Sequence, residues 1–340
     1  MPGFEAIIDQ ERPIRILTSL LAHGTIPHAL LFTGIAGVGR TSAATAFAMA
    51  CNCSGRELRM DAAAEAARVE PCAECAACRK IAAGNHPDVV RIGPSGQSIR
   101  IEQVRELCRL LSMKPYEARW RFVIVTDAQS MNAAAQNALL KTLEEPPEAT
   151  VLILIARQTA DLLPTIVSRC QHIGFKPIAR AHLAAILSRA YGLAPREAAL
   201  TAALANGSVS RALKMHRGRF LDHRRWLLEE LAALPRQATA RLLALAEKLA
   251  RDKEGLAEEL DLIESWLRDL AMIRHDPQRV FHQDLHTQLL DTARQADDAF
   301  PLRAFESLKL ARRRIQANSN PRLALEALLL RMAWELRPAA

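Results

Sequence analysis

The sequence predicts an α/β fold, a parallel sheet wrapped by helices, continued by a region that is helical throughout. Three observations carry this. Residues 29–32, ALLF, form an apolar run of strand length that enters a glycine loop and then an alanine-rich helical stretch, 42–50. Further apolar runs at 89–92, 122–125 and 151–155 alternate with stretches of helical pattern, the order that builds a parallel sheet. Beyond Pro177 the strands vanish and the pattern is helical.

Taken in order, the chain opens with a short helix over 14–23, closed by Gly24. The strand at 29–32, the glycine loop and its helix follow. A cysteine-rich insertion with an Ala/Glu/Arg stretch inside it runs to Cys78, and a turn at Asn85-His86-Pro87-Asp88 leads into the strand at 89–92. Residues 101–113 form an amphipathic helix with Ile101, Val104, Leu107, Cys108 and Leu111 on one face. After the strand at 122–125, a helix over 132–145 must stop before Pro146-Pro147. The strand at 151–155, a helix over 162–169 and a strand over 172–175 complete the sheet region. Residues 179–215 read as a small helical unit with turns at Gly192 and Asn206-Gly207. From 220 onward the pattern is helical, with breaks near Pro235, Asp276-Pro277 and 318–321.

A chain of 340 residues, half of them hydrophobic, can bury the cores of two or three domains. The expected divisions are 1–176 for the sheet domain with its insertion at about 51–80, 177–217 for a helical lid and 218–340 for a second helical domain. The net charge of +8 permits a nucleic-acid partner without requiring one. No apolar run approaches about 18 residues, and the N-terminus MPGFEAIIDQERPIRIL carries acids and no apolar h-region. A cytoplasmic protein with no membrane span is expected. Seven cysteines then point to a metal or to free thiols before disulfides.

Two motifs carry chemistry. The loop Gly34-Ile35-Ala36-Gly37-Val38-Gly39-Arg40-Thr41, set between strand and helix, matches a phosphate-cradling P-loop at Gly34, Gly39 and Thr41, but Arg40 stands where lysine is required. Guanidinium is bulkier and planar, poorly suited to a slot that takes a point charge. The loop is therefore either a degenerate nucleotide cradle or a structural turn. Cys72-x-x-Cys75-x-x-Cys78 offers three thiolates, and a structural Zn²⁺ site wants four. Cys53, Cys51 and His86 are the available fourth ligands; Cys53, just past the P-loop helix, is the expected one. Cys108, on an apolar helix face, reads as a core residue.

Together these residues resemble the bacterial clamp-loader subunits, AAA+ proteins of the DNA polymerase III holoenzyme. Four stretches carry the resemblance: the P-loop region, the insertion with Cys53, Cys72, Cys75 and Cys78, the run NALLKTLEEPP at 137–147, and Ser168-Arg169-Cys170. It extends over roughly residues 1–215. It implies an AAA+ P-loop sheet with a zinc module, a helical lid and a C-terminal helical collar. The partners implied are gamma/tau and delta subunits in a hetero-oligomer, with the sliding clamp and primer-template DNA in the assembly.

The departures from the family's motors are specific. Counted back from Asn137, the Walker B aspartate falls on Thr126 and the catalytic glutamate on Asp127. Thr126 cannot replace a carboxylate near Mg²⁺, and Asp127 is one methylene short. The motors' lid arginine is replaced by Ser210 in Gly207-Ser208-Val209-Ser210, and Arg157 stands near their polar sensor threonine. The pattern resembles the delta-prime type of stator, in which ATP binding by Gly34, Gly37, Gly39, Arg40 and Thr41 is doubtful. Arg169 is then expected to act in trans as an arginine finger on a neighbour's phosphate, with Ser168 and Cys170 positioning its loop. Glu144 and Glu145 read as exposed helix-end charges, and Lys141 as a solvated cation or a phosphate contact. Arg100, Arg105 and Arg109 are candidates for DNA-backbone contact or a solvated helix face. The rival expectations are an active gamma-like ATPase and a stand-alone zinc-dependent DNA-binding protein.

Overall fold

A computed structural model describes residues 3–55, 57–61, 66–96, 98–217, 220–252, 255–317 and 319–336. The chain forms two compact units, Met1–Gly192 with Ala205–Arg211, and Leu193–Leu204 with Ala212–Ala340.

The first unit holds α1 (Glu11–His23), β1 (Ala29–Thr33), α2 (Arg40–Asn52), a hairpin of β2 (Glu57–Asp61) and β3 (Ala66–Glu70), α3 (Ala76–Ala82), β4 (Val89–Ile92), α4 (Ile101–Leu111), β5 (Arg121–Val125), α5 (Ala133–Glu144), β6 (Thr150–Ala156), α6 (Pro164–Val167), β7 (Gln171–Gly174) and α7 (Arg180–Tyr191). Its sheet is parallel, in the order β4-β5-β6-β1-β7. The expected α/β architecture, a parallel sheet with helices on both faces, is the one found.

Strand alternation divides the core in two. Leu30 and Phe32 of β1, Phe122 and Ile124 of β5, and Val151, Ile153 and Ile155 of β6 face one side, against Leu17 of α1 and Phe47 and Met49 of α2. Ala29 and Leu31, Val123 and Val125, Leu152 and Leu154 face the other, against Val104 and Leu107 of α4 and Leu139 and Leu143 of α5. Covered on both faces, β1, β5 and β6 read as continuous apolar runs, as buried parallel strands must.

The elements differ from sequence expectation at three places. The Ala/Glu/Arg stretch of the insertion contains the antiparallel hairpin of β2 and β3, with Leu58 opposite Val69. The helix expected over 162–169 is only Pro164–Val167. Leu163 is extended, its N–H taken by the Gln136 side chain at 2.8 Å, and proline at the first helical position has no N–H to place. Finally, α4 ends at Leu111 rather than 113, because the Arg121 guanidinium captures the carbonyls of Leu110, Met113 and Lys114.

The second unit comprises α8 (Pro195–Leu204), the latter part of α9 (Val209–Arg217), α10 (Phe220–Ala232), α11 (Thr239–Arg251), α12 (Leu256–Met272), α13 (His286–Gln295), α14 (Phe300–Gln316) and α15 (Pro321–Glu335). Trp266, Phe300, Leu325 and Leu329 lie at its centre. Buried Arg224 meets His282 Nδ1 at 2.7 Å and the Asp284 carboxylate, so its charge is paired within the helical core. The expected breaks at Pro235 and Asp276-Pro277 are short 3₁₀ turns, and Asn318 lies outside the described residues. Among the described residues no helix is long and apolar enough to cross a membrane.

One buried pair organises the amino-terminal edge of the sheet. Asp88 is fully buried and accepts N–H groups from Tyr116, Glu117 and Ala118 at 2.8–3.0 Å while pairing with Arg121 at 2.7 Å. Burial alone would raise its pKa, but these donors outweigh it and hold the carboxyl at about 2. The folded state therefore favours the carboxylate. Its stabilisation is complete above the unfolded value of about 3.9 and lost as pH falls toward about 2. Asp88→Ala leaves Arg121 buried without its counter-ion and is expected to cost about 3–5 kcal/mol, read as a lower urea midpoint at neutral pH. A drop under about 1 kcal/mol would show the pair to be dispensable.

Candidate functional site

The P-loop lies at the carboxyl end of β1. Gly34 donates its N–H to Arg157 O at 3.0 Å, and its backbone is so close to Phe175 that a Cβ would lie 2.5 Å from that carbonyl oxygen. Gly39, at φ 97°, caps α2 in the left-handed region, which glycine adopts without strain. Thr41 is exposed, while its carbonyl accepts the Thr45 hydroxyl at 2.8 Å.

Arg40 does not reach out over the loop. Its side chain is buried, 7% exposed, and donates Nη1–H to Ala156 O at the carboxyl end of β6. Burial lowers the guanidinium's pKa, Asp127 opposes that shift and Arg157 adds to it, so Asp127 is its facing anion. The cation of the loop is thus spent on the protein's own backbone.

The loop also packs against the protein at Gly37. Val209 N–H donates to Gly37 O at 3.0 Å, and a Cβ on Gly37 would meet Ser208 Oγ at 2.5 Å and the Ser210 hydroxyl closer still. The two hydroxyls lie 3.2 Å apart, and Ser208 Oγ also accepts Arg211 N–H at 3.1 Å. Serine at 210 brings a short side chain against the glycine where a longer one would have to turn away.

The Walker B positions are equally committed. Thr126 donates its N–H and its hydroxyl to Ile92 O at 2.7 and 3.2 Å. Asp127 adopts the left-handed conformation, φ 51°, is exposed, and accepts from Gln129 Nε2 at 2.9 Å.

Arg169 lies beyond this cluster, after α6. Its Nη2 meets Glu144 Oε1 at 2.8 Å and its Nη1 donates to Thr165 O at 3.0 Å, with the side chain 36% exposed. Glu144, the exposed last residue of α5 as the sequence reads, is also its counter-ion. Burial pushes the Cys170 thiol up to about 12, so this cysteine packs rather than reacts. Gln136, 7% exposed, accepts Leu163 N–H and donates to Met131 O at 3.1 Å, fastening the start of α6 to the segment after β5. Lys141 is exposed. Arg109 pairs with Glu106 at 2.6 Å instead of joining Arg105 as a bare cationic face.

Four cysteines are brought together. The sulfurs of Cys53, Cys72, Cys75 and Cys78 lie within 4.8 Å of one another, with Cys53 and Cys72 at 3.4 Å. A tetrahedral ion with bonds of about 2.3 Å to sulfur sets its ligands roughly 3.8 Å apart, so the cluster fits one. Backbone N–H groups point at the sulfurs, from Cys72 to Cys53, Cys75 to Cys72 and Cys78 to Cys75, at 3.3–3.4 Å. For Cys75 burial would raise the pKa, but N–H donors from Cys78 and Ser54 bring the thiol down to about 6. Burial raises that of Cys78. Cys51 is buried in α2, and His86 is engaged with Asp88 N–H at 3.1 Å and faces Glu117, so neither joins the cluster.

The sequence matches two family models. One, described as DNA polymerase III, delta subunit, covers residues 9–179; the other, described as the carboxy-terminal part of the same delta subunit, covers 219–333. Among curated relatives, DNA polymerase III subunit delta' of Pseudomonas aeruginosa is 34% identical over 318 residues, spanning 90% of this chain and 92% of that one. Subunit delta' of Bacillus subtilis is 29% identical over 326 residues, 94% of this chain and 95% of its own. Subunit tau of Bacillus subtilis is 35% identical over 175 residues, 52% of this chain but only 29% of tau.

The cysteine geometry gives a direct test. Cys53→Ser is expected to weaken retention of a thiophilic divalent ion by more than about tenfold, a loss that outer-shell changes alone can cause, whereas Cys51→Ser leaves it unchanged. Metal content after dialysis against a graded chelator series reads this. Release of the ion by Cys51→Ser with retention by Cys53→Ser would reverse the assignment.

Proposed function

This chain belongs to the DNA polymerase III delta-subunit family, and we propose that within it the chain is a delta-prime-type stator. In this reading it works in the cytoplasm with gamma/tau and delta subunits, in the ATP-driven loading of a sliding clamp onto primer-template DNA. The collar is the helical region from about residue 218. The observation that carries the reading is a nucleotide site whose cation and Walker B positions are engaged by the chain itself. Arg40 is bonded to Ala156 O, Thr126 to Ile92 O, and Gly37 lies under Val209 and the two serines. No carboxylate stands at 126 to hold the magnesium shell, and the loop's cation is engaged by Ala156 O. Nucleotide chemistry therefore belongs to neighbouring subunits.

What this chain contributes to that chemistry is Arg169. Two of its N–H groups lie on one planar fork, the geometry that matches phosphate oxygens and spreads the charge developing in phosphoryl transfer. A zinc ion held by Cys53, Cys72, Cys75 and Cys78 would be structural, since four thiolates would fill its ligand set.

Two measurements test this. The isolated chain is expected to show no magnesium-dependent ATP turnover, and Arg40→Lys does not create it, since Thr126 and Asp127 remain. Robust turnover by the wild-type chain would establish a motor instead. In the assembled loader, Arg169→Ala should lower DNA-stimulated hydrolysis, with fold and metal content intact. An arginine finger contributes about 10³–10⁵ at its own site, diluted in the bulk rate by the other sites. Arg169→Lys should rescue poorly, because a point charge lacks the fork. Unchanged rates in an intact Arg169→Ala assembly would leave the chain as scaffold alone.

A further inference from the structure

From the contacts of Arg169 we infer that Glu144 is a positioning residue which holds the guanidinium folded back on its own chain and must be released before the arginine can act on a neighbour. The inference rests on the finger reading above and goes beyond it. Both Nη groups are occupied by this chain, one by Glu144 Oε1 at 2.8 Å and one by Thr165 O at 3.0 Å. With Glu144 and Thr165 on two of the five N–H groups, a phosphate taking a pair of the remaining ones would stand beside the Glu144 carboxylate, like charge against like charge.

The loop and the head group are restrained differently. Leu163, at the start of α6, is fixed by the buried Gln136 side chain, and Arg169 N–H is bonded to Ile166 O at 3.1 Å. The ion pair, by contrast, lies in water, with side-chain exposures of 36% for Arg169 and 51% for Glu144. A pair so exposed is weak and exchanges readily. A phosphate group carries more charge than a carboxylate and accepts two bonds from one guanidinium. Approach of a neighbour's nucleotide therefore moves the side chain while the loop stays in place. Glu144 sets a threshold: it disfavours engagement when the neighbouring phosphate is poorly placed and yields when placement is good.

The test uses assembled loaders in which only this chain is altered, with ATP as the probe, plus the full-length chain alone. Glu144→Gln keeps the shape and removes the charge. It is expected to raise hydrolysis without DNA by about two- to fivefold, the range an exposed ion pair spans, and so shrink the ratio of DNA-stimulated to basal rate. The same substitution in an Arg169→Ala background should change nothing. In the chain alone, side-chain NMR should show the Arg169 guanidinium rotating faster once Glu144 is Gln. If Arg169→Ala lowers hydrolysis but Glu144→Gln leaves the ratio or the NMR signal unchanged, the finger stands and the latch is wrong. If Arg169→Ala has no effect, the finger reading fails and the latch fails with it.

Discussion

A buried guanidinium has no neutral form to fall back on, so Arg40 must be met by acceptors wherever it goes. That requirement shapes the carboxyl edge of the sheet. A parallel sheet gathers the carboxyl ends of its strands on one side, and here the end of β1 delivers the loop, the end of β5 delivers Thr126 and Asp127, and the end of β6 delivers Ala156 and Arg157. Arg40 satisfies itself on Ala156 O with Asp127 as the facing anion. A lysine on the same stem could project as a mobile point charge. The arginine is drawn inward, and the loop above it is left to pack against Val209, Ser208 and Ser210.

The engagement of Arg40 at one site leaves a second, separate edge free to act. Arg169 lies beyond α6, and its contacts, Glu144 and Thr165, are not those of the loop. The link between the two regions is α5. Its buried Gln136 joins Met131 O, after β5, to Leu163 N–H, before α6, and its last residue, Glu144, meets the guanidinium. One helix thus fixes both the base of the finger loop and the resting place of its charge.

Most of the sheet was legible because its strands are buried on both faces: ALLF at 29–32 and VLILI at 151–155 have few alternatives. The hairpin of β2 and β3 was not: Glu57–Asp61 alternates polar and apolar over only five residues, Ala66–Glu70 does not alternate, and the alanine-rich sequence around them has helical propensity. Thiol spacing gave three candidate metal ligands outright, and the fourth needed only reach, which the position of Cys53 after α2 supplies. Partners at long range were hidden. Nothing in the local pattern of Glu144 distinguishes a counter-ion 25 residues from Arg169 from a solvated helix-end charge, and nothing at Ser208 shows that its hydroxyl meets a glycine far back in the chain.

The glycines of the loop can be accounted for without a phosphate. At Gly34 a Cβ would collide with Phe175 O, which belongs to the segment following β7; at Gly37 it would collide with Ser208 and Ser210. Gly37 and Gly39 also hold positive φ, 79° and 97°. Each is required by packing or by the turn into α2, so the intact glycine pattern beside a buried Arg40 is not a contradiction. A phosphate cradle needs glycines so that backbone can approach a ligand; the same freedom here lets backbone approach the protein itself. Loss of nucleotide contact would therefore relieve the cation and the metal carboxylate of their roles while leaving the glycines under the same steric constraint.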